Sequence, residues 1–305
     1  MSSRMLVSND STVTVGITGA GGYLGGSLAT LINESGTNVI EYRRGEARST
    51  NGSVVRALEL DGVYPKGTFV GVTCLVHTAW DLKETNRRRN WETNVEGSKR
   101  LVAAALDEGV TRVIFVSSMS AYFGTTQEYG LAKMAVERTV LEAHQVVVRP
   151  GLVYGRVPGG VSGGMSLTLS RLAQLPVIPV FRDARLFTVN VNDVIAALHT
   201  LATTHAVPSA VIGLAQETST SFTDIMTALA DEVGTSSRMV PVPWRPLLLS
   251  LRMAEKCGIK LPVRSDSLLG LIRSAGAVPG IDVAREMGLT FRPFPEGLNG
   301  SFDPA

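Results

Sequence analysis

Tyr129 and Lys133 stand four residues apart in the stretch EYGLAKMAVE, residues 128–137. That spacing puts both on one face of a helix. A phenol of ordinary pKa, about 10, exchanges protons poorly at neutral pH, and a neighbouring ammonium favours its phenolate form. Ser118 closes the apolar run RVIFVSS (112–118) and offers a hydroxyl to an oxygen whose charge changes during reaction. Ser118, Tyr129 and Lys133 together could move a proton at a carbinol or carbonyl oxygen. Tyr-x-x-x-Lys alone is common on amphipathic helices. Its position in the chain lends it weight, because a glycine-rich turn and a serine-ended strand precede it.

The turn is GITGAGGYLGG (16–26), with Gly19, Gly22 and Gly25 at intervals of three between a predicted strand (12–20) and a predicted helix (23–36) that opens on Tyr23 and Leu24. Early glycines permit a tight turn and a close approach of backbone N–H groups to a pyrophosphate. The last permits close packing of helix on strand, and the helix N-terminus then faces the phosphates. The expectation is a dinucleotide, whose nicotinamide would carry the hydride while Tyr129 carries the proton. An acidic residue at the end of the second strand would hold a ribose 2′-hydroxyl. Arg43 and Arg44 stand there instead, after NVIEYR (38–43), and guanidinium groups suit a 2′-phosphate. Glu41 shares the strand face of Arg43. NADP is therefore the expected cofactor, with NAD as the alternative.

The elements that must hold these residues alternate along the first half. Strands are expected at 73–80, 112–118 and 145–151, with helices at 90–109 and from residue 128. Such alternation, with strands that are continuous apolar runs, predicts an α/β fold of Rossmann type: a doubly wound parallel sheet. The expected organisation is a flexible leader (1–12), a dinucleotide-binding domain (13–155) whose sheet is completed by parts of 183–215, and a smaller substrate lobe from 156–182 and 216–305. The glycine-rich 155–165 reads as a mobile loop. Residues 185–205 read as a strand feeding a helix capped near Asn192 or Asp193, and 221–234 as a helix with a Ser or Thr cap.

Of the 305 residues, 44% are hydrophobic and 18% charged, for a formal net charge of +2. That balance builds a large core and gives no field that would attract nucleic acid or an anionic membrane. No apolar run reaches the roughly 18 residues of a membrane span, and the first dozen residues lack the core of a signal peptide. A cytoplasmic protein is expected. Cys74 and Cys257 make no disulfide framework, and the four histidines form no metal-ligand cluster, so no metal is expected. His77 reads as a packed, hydrogen-bonded strand residue, and NRRRN (86–90) as a solvated helix start.

The motifs TGAGGYLG (18–25), LVHTAW (75–80), NVEG (94–97), VSSMSAYFG (116–124), YGLAK (129–133), VVRPGLVYG (147–155) and VNVNDV (189–194) resemble those of the extended short-chain dehydrogenase/reductases. This group includes NAD(P)-dependent nucleotide-sugar epimerases, dehydratases and ketoreductases. The resemblance spans most of 13–200 and continues loosely to GLTFRPF (288–294). It implies that Tyr129 is the acid–base residue, that Lys133 holds the nicotinamide ribose, and that Ser118, with Ser120 as its rival, binds the substrate oxygen. It also implies that Thr78, Ala79 and the backbone from Pro150 line the cofactor, and that Asn94 begins a helix behind the site. Glu59 or Asp61 would touch adenine. Trp80 could meet substrate or cofactor. Arg185 resembles an arginine that meets a sugar-nucleotide diphosphate, and Arg264 and Arg273 would add cationic groups suited to one. The short stretch from Ser118 to Tyr129, and Ala-Tyr-Phe-Gly where Val-Tyr-Gly is usual, are departures on the substrate side. The resemblance implies a small-molecule substrate, most readily a nucleotide sugar, and a homodimer through helices 90–109 and 130–143. The competing readings are a reductase of a small non-sugar ketone or aldehyde, and a dinucleotide-sensing regulator without turnover.

Overall fold

The computed structural model describes residues 13–45, 53–156, 164–259 and 264–298. The leader, and most of the glycine-rich loop expected at 155–165, lie outside them. The β-branched runs form the central sheet: β1 (Thr14–Thr18), β2 (Asn38–Arg43), β3 (Val54–Ala57), β4 (Cys74–His77), β5 (Arg112–Val116), β6 (Val146–Pro150) and, much later, β11 (Val211–Leu214). Their order is β3-β2-β1-β4-β5-β6-β11, all parallel. The order reverses between β1 and β4, and in such sheets the crevice beyond the strand ends at this reversal is where ligands bind.

Helices cover both faces. α1 (Tyr23–Glu34) and α6 (Val191–Thr203) pack on one, burying Leu28, Ile32, Val194 and Leu198 against Val15, Ile17 and Val76. α3 (Gly97–Asp107) and α4 (Glu128–Glu142) cover the other, where Leu101, Val102, Val136 and Val140 meet Leu75, Val113 and Phe115. β3 carries no strong sequence signal. It is a short edge strand, held by its pairing to β2.

The single helix expected over 90–109 is divided. α2 (Arg87–Trp91) runs into one π-helical turn, Glu92–Glu96, before α3 begins. Asn94 lies inside that turn, fully buried, and its amide bonds both the N–H (2.6 Å) and the carbonyl (2.9 Å) of Asp81. At Gly97 a Cβ would fall 2.2 Å from the Leu60 carbonyl, so α3 starts flush against the loop after β3. The widened turn lets both contacts form on one helix, and such π turns recur at functional sites.

A separate apolar cluster builds an outer lobe over the strand ends. It joins Tyr154 of β7 (Leu152–Tyr154), α5 (Gly164–Ala173), β8 (Val177–Val180), α7 (Phe222–Glu232), α8 (Trp244–Lys256) and α9 (Ser265–Ile272). Ser221 caps α7, its hydroxyl accepting from Asp224 N at 3.0 Å. The cap of α6 is neither Asn192 nor Asp193 but Asn190, the last residue of β10 (Thr188–Asn190), whose amide oxygen accepts from Asn192 N. The strand ends at Asn190 and α6 starts at Val191, so the cap falls two residues earlier than its pattern suggests.

Asp193 has another task. Its carboxylate accepts from Arg292 N, Nε and Nη2 at 2.7–3.1 Å, tying the C-terminal segment to α6. Asp193→Ala leaves this half-buried guanidinium and a backbone N–H without partners. The expected loss is about 2–3 kcal/mol, read from urea unfolding. Equal midpoints for the two proteins would exclude it.

Candidate active site

A cleft of about 1620 Å³ opens along the carboxyl ends of β1, β4, β5 and β6, between the sheet and the outer lobe. This exceeds the roughly 300–1000 Å³ of a single drug-sized pocket and leaves room for an extended dinucleotide beside a second ligand. At one end lies the glycine turn. Gly19 has φ +71° and sits against Ala79, where a Cβ would come within 2.9 Å of backbone. A Cβ on Gly25 would fall 2.4 Å from Gly19 O and 2.7 Å from Thr78 Oγ1. Thr78 is held in place by donating to Thr18 O at 2.7 Å. At Gly21, by contrast, a Cβ would meet nothing within 4 Å. The helix behind the turn has neither a side-chain cap nor an acidic residue in its first turn. Its free N–H groups and positive dipole end therefore face the cleft, as an anionic pyrophosphate requires. These residues fit a dinucleotide. The side chain of Tyr23 is directed elsewhere, its hydroxyl donating to Gly155 O at 2.8 Å.

Arg43 and Arg44 line the same end with Leu58, Glu59 and Asp61. Arg43 binds Glu41 through Nε (2.7 Å) and Nη2 (2.5 Å), so it neutralises the one carboxylate on its strand face. Arg44 is exposed.

Ser118, Tyr129 and Lys133 line the same cleft with Trp80, Ser120 and Pro150. Ser118 Oγ accepts from Ser120 N at 3.1 Å, which leaves its proton free to donate to the Tyr129 oxygen. Burial pushes the Tyr129 phenol up to about 12, and the Ser118 hydrogen bond pulls it back. Lys133 is buried: Nζ donates to Val116 O at 2.9 Å and lies 3.7 Å over the Trp80 ring and 5.8 Å from that of Tyr129. Burial lowers the ammonium to about 7, and Glu137 one turn along α4 pulls it upward. Trp80 meets Tyr129 edge-on at 6.0 Å. The loop that carries Trp80 is fixed one residue later by the Asn94–Asp81 bonds. His77 is indeed a packed residue. It lies between Thr18 Oγ1 (2.7 Å) and Ser98 Oγ (2.9 Å), and burial pushes it down to about 3, so it stays neutral.

Arg264 and Arg273 line the lobe side of the cleft, but Arg185 does not. Its Nε donates to Ser219 Oγ at 3.0 Å and its Nη2 to Ser219 O. Arg185 sits on β9 (Arg185–Leu186), which pairs antiparallel with β12 (Thr220–Ser221), and that pairing brings Ser219 beside its guanidinium. Sequence reasoning also overlooked two acids. Glu137, buried beneath Lys133, holds Arg149 bidentately at 2.5 and 2.8 Å. Asp266, on α9, reaches the start of α4 from the outer lobe. Glu137 follows Lys133 by four residues, a signal that was present in the sequence; for Asp266 there was none. Among the described residues no cluster of His, Cys, Asp and Glu could hold a metal, and no helix is long and apolar enough to cross a membrane.

A parallel sheet in this strand order with a glycine turn at its reversal defines a Rossmann-type α/β protein. Residues 13–247 match the family described as the RmlD substrate binding domain. The chain belongs to that family and, with it, to the extended short-chain dehydrogenase/reductases, NAD(P)-dependent reductases, epimerases and dehydratases. It is 26% identical over 251 residues to a ceramide reductase of Caulobacter vibrioides, covering 78% of this chain and 76% of that one. It is 31% identical over 154 residues to a dTDP-4-dehydrorhamnose reductase of Streptomyces griseus, about half of each chain (46% and 49%). Among solved structures, gox2253 superposes with a TM-score of 0.74 at 21% identity, over 95% of this chain and 96% of that one. MoeE5, solved with UDP-glucuronic acid and NAD, superposes at 0.61 and 21% identity over 90% and 99%.

Proposed function

We propose that the protein is an NADP(H)-dependent oxidoreductase that moves hydride at a keto or carbinol carbon of a nucleotide-activated sugar. The observation that carries this reading is the grouping of Ser118, Tyr129 and Lys133 in the cleft that the glycine turn also lines. The cofactor supplies the hydride. The Ser118 hydroxyl and the Tyr129 phenol converge on the substrate oxygen, and Tyr129 gives or takes the proton there. With its pKa raised, Tyr129 holds its proton at neutral pH, which suits an acid serving a reduction. Lys133, poised near neutrality, supplies the charge that favours phenolate in the reverse direction. Arg264 and Arg273 support an anionic diphosphate on the lobe side. The names of the dTDP-4-dehydrorhamnose reductase and of the UDP-sugar complex support the same substrate class.

The test is a panel of UDP- and dTDP-linked keto sugars assayed by loss of nicotinamide absorbance. One observation favours a second reading: the ceramide reductase relative aligns over the larger share of the chain. Long-chain ketones therefore belong in the panel, and turnover of these alone would replace the sugar reading. If nothing is turned over while NADPH still raises the melting temperature, the protein is a sensor of the dinucleotide.

For the cofactor, Arg44 is the group left to meet a 2′-phosphate while Arg43 neutralises Glu41. Arg44→Ala is expected to lower kcat/KM for NADPH about tenfold and leave that for NADH unchanged, the worth of one charge-assisted contact. A wild type that prefers NADH would overturn the NADP assignment.

A further inference from the structure

Helix α4, which carries Tyr129 and Lys133, lacks a cap of its own. Its N-cap residue is Gln127, whose side chain makes no capping bond. The N–H groups of the first turn would be left without acceptors. They find one 138 residues away. Asp266 Oδ1 accepts from Glu128 N at 2.8 Å, and Oδ2 accepts from Tyr129 N at 3.3 Å. The Asp266 carbonyl in turn accepts from Gln127 Nε2 at 3.1 Å, which fixes the orientation of that buried amide. Further contacts join the same segments. Arg273 Nη1 donates to Thr126 Oγ1 at 3.3 Å, and at Gly270 a Cβ would lie 2.5 Å from Gln127 Nε2. α9 is thus seated on residues 126–129, and Arg264 and Arg273, at its two ends, both line the cleft.

A carboxylate at this point satisfies backbone donors and complements the helix dipole. Here it also joins the part of the cleft formed by the outer lobe to the backbone of the proton-transfer residue itself. We propose that Asp266 is a positioning residue: by capping α4 from the outer lobe it fixes the height of Tyr129 in the cleft and couples the seating of substrate against α9 to proton transfer. The inference rests on the assignment of Tyr129 above. It predicts that the site is complete only with α9 in this position. Loss of the cap would let the first turn of α4 fray and carry the phenol away from Ser118, and misplacement by about 1 Å is enough to cost on the order of 100-fold in rate.

The experiment compares wild type, Asp266→Ala, Asp266→Asn and Tyr129→Phe, each saturated with NADPH. Amide hydrogen exchange is followed over 127–133, and reduction of dTDP-4-dehydrorhamnose is measured alongside. In Asp266→Ala, exchange over this segment should quicken about tenfold, and kcat should fall ~10- to 100-fold with KM for NADPH unchanged. Asp266→Asn keeps an acceptor for Glu128 N and should restore both. A purely structural role would instead lower the melting temperature and the amount of active protein without dividing kcat from KM. Unchanged exchange in Asp266→Ala overturns the proposal whether or not this sugar is a substrate, and so does a kcat loss that Asn fails to rescue. Tyr129→Phe should leave exchange alone and remove turnover. If Tyr129→Phe keeps its rate, the assignment of Tyr129 fails; if it loses its rate while Asp266→Ala keeps it, only the coupling fails.

Discussion

Tyr129→Phe is expected to lower kcat by about a thousandfold, within the ~10²–10⁴ range of general acid–base contributions, while NADPH binds as before. The substitution removes one oxygen and keeps the ring. The ring makes the edge-on contact with Trp80 at 6.0 Å, and the backbone N–H makes the bond to Asp266, so α4 and its cap remain. What disappears is the phenol that Ser118 hydrogen-bonds. Ser118 can still donate to a substrate oxygen, so residual rate reflects its contribution and that of cofactor proximity. Neither His77 nor Lys133 can take over. His77 is neutral and bonded on both ring nitrogens, and Lys133 Nζ is held by Val116 O and the Trp80 face. Single-turnover oxidation of bound NADPH separates chemistry from product release, and a variant that keeps the wild-type rate there refutes acid–base catalysis by Tyr129.

Much of the sheet and the cofactor end of the cleft could be read from sequence because their signals are local. The positive φ of Gly19 and the press of Gly25 on the Gly19 carbonyl are visible within ten residues, while Thr78 and Ala79 add a crowding that is not. The apolar runs of β5 and β6 declare strands buried on both faces. Where sequence reasoning failed, the deciding contact was distant. Arg185 has the charge for a diphosphate, but its geometry is set by the β9–β12 pairing, and Ser219 takes the guanidinium. Asp193 looked like a cap because acidic residues favour first turns, yet its partner is Arg292, 99 residues on. The helix expected over 90–109 has adequate local propensity throughout. Only the bonds from Asn94 back to Asp81, and the contact of Gly97 with Leu60, divide it. The substrate end is illegible for the same reason. α9 and its Asp266 read locally as an ordinary Ser-Asp helix start, and no short-range pattern shows that the carboxylate serves another helix.

Lys133→Met offers the second large effect, because it should act in opposite directions on activity and on stability. For activity, the reading proposed above has the Lys133 ammonium, 5.8 Å from the Tyr129 ring, favouring the phenolate. Its removal should lower kcat about 100-fold. For stability, Lys133 is a buried base whose native pKa, about 7, lies well below the ordinary value for lysine, near 10.4. Below pH 7 both folded and unfolded chains carry the proton, and the fold bears the whole cost of burying the charge. Between about 7 and 10.4 the unfolded chain binds the proton that the folded chain has released, so stability rises with pH. Above that window both are neutral and the cost is gone. Lys133→Met never bears it. The variant should therefore be more stable than wild type at pH 6.5, by an amount on the order of a few kcal/mol, with the difference shrinking towards pH 10. Urea unfolding of both proteins across this range measures the difference directly. Parallel curves would mean that Glu137, with the Val116 carbonyl and the Trp80 face, compensates the buried ammonium fully. In that case Lys133 stays charged through neutrality and favours the Tyr129 phenolate at every working pH.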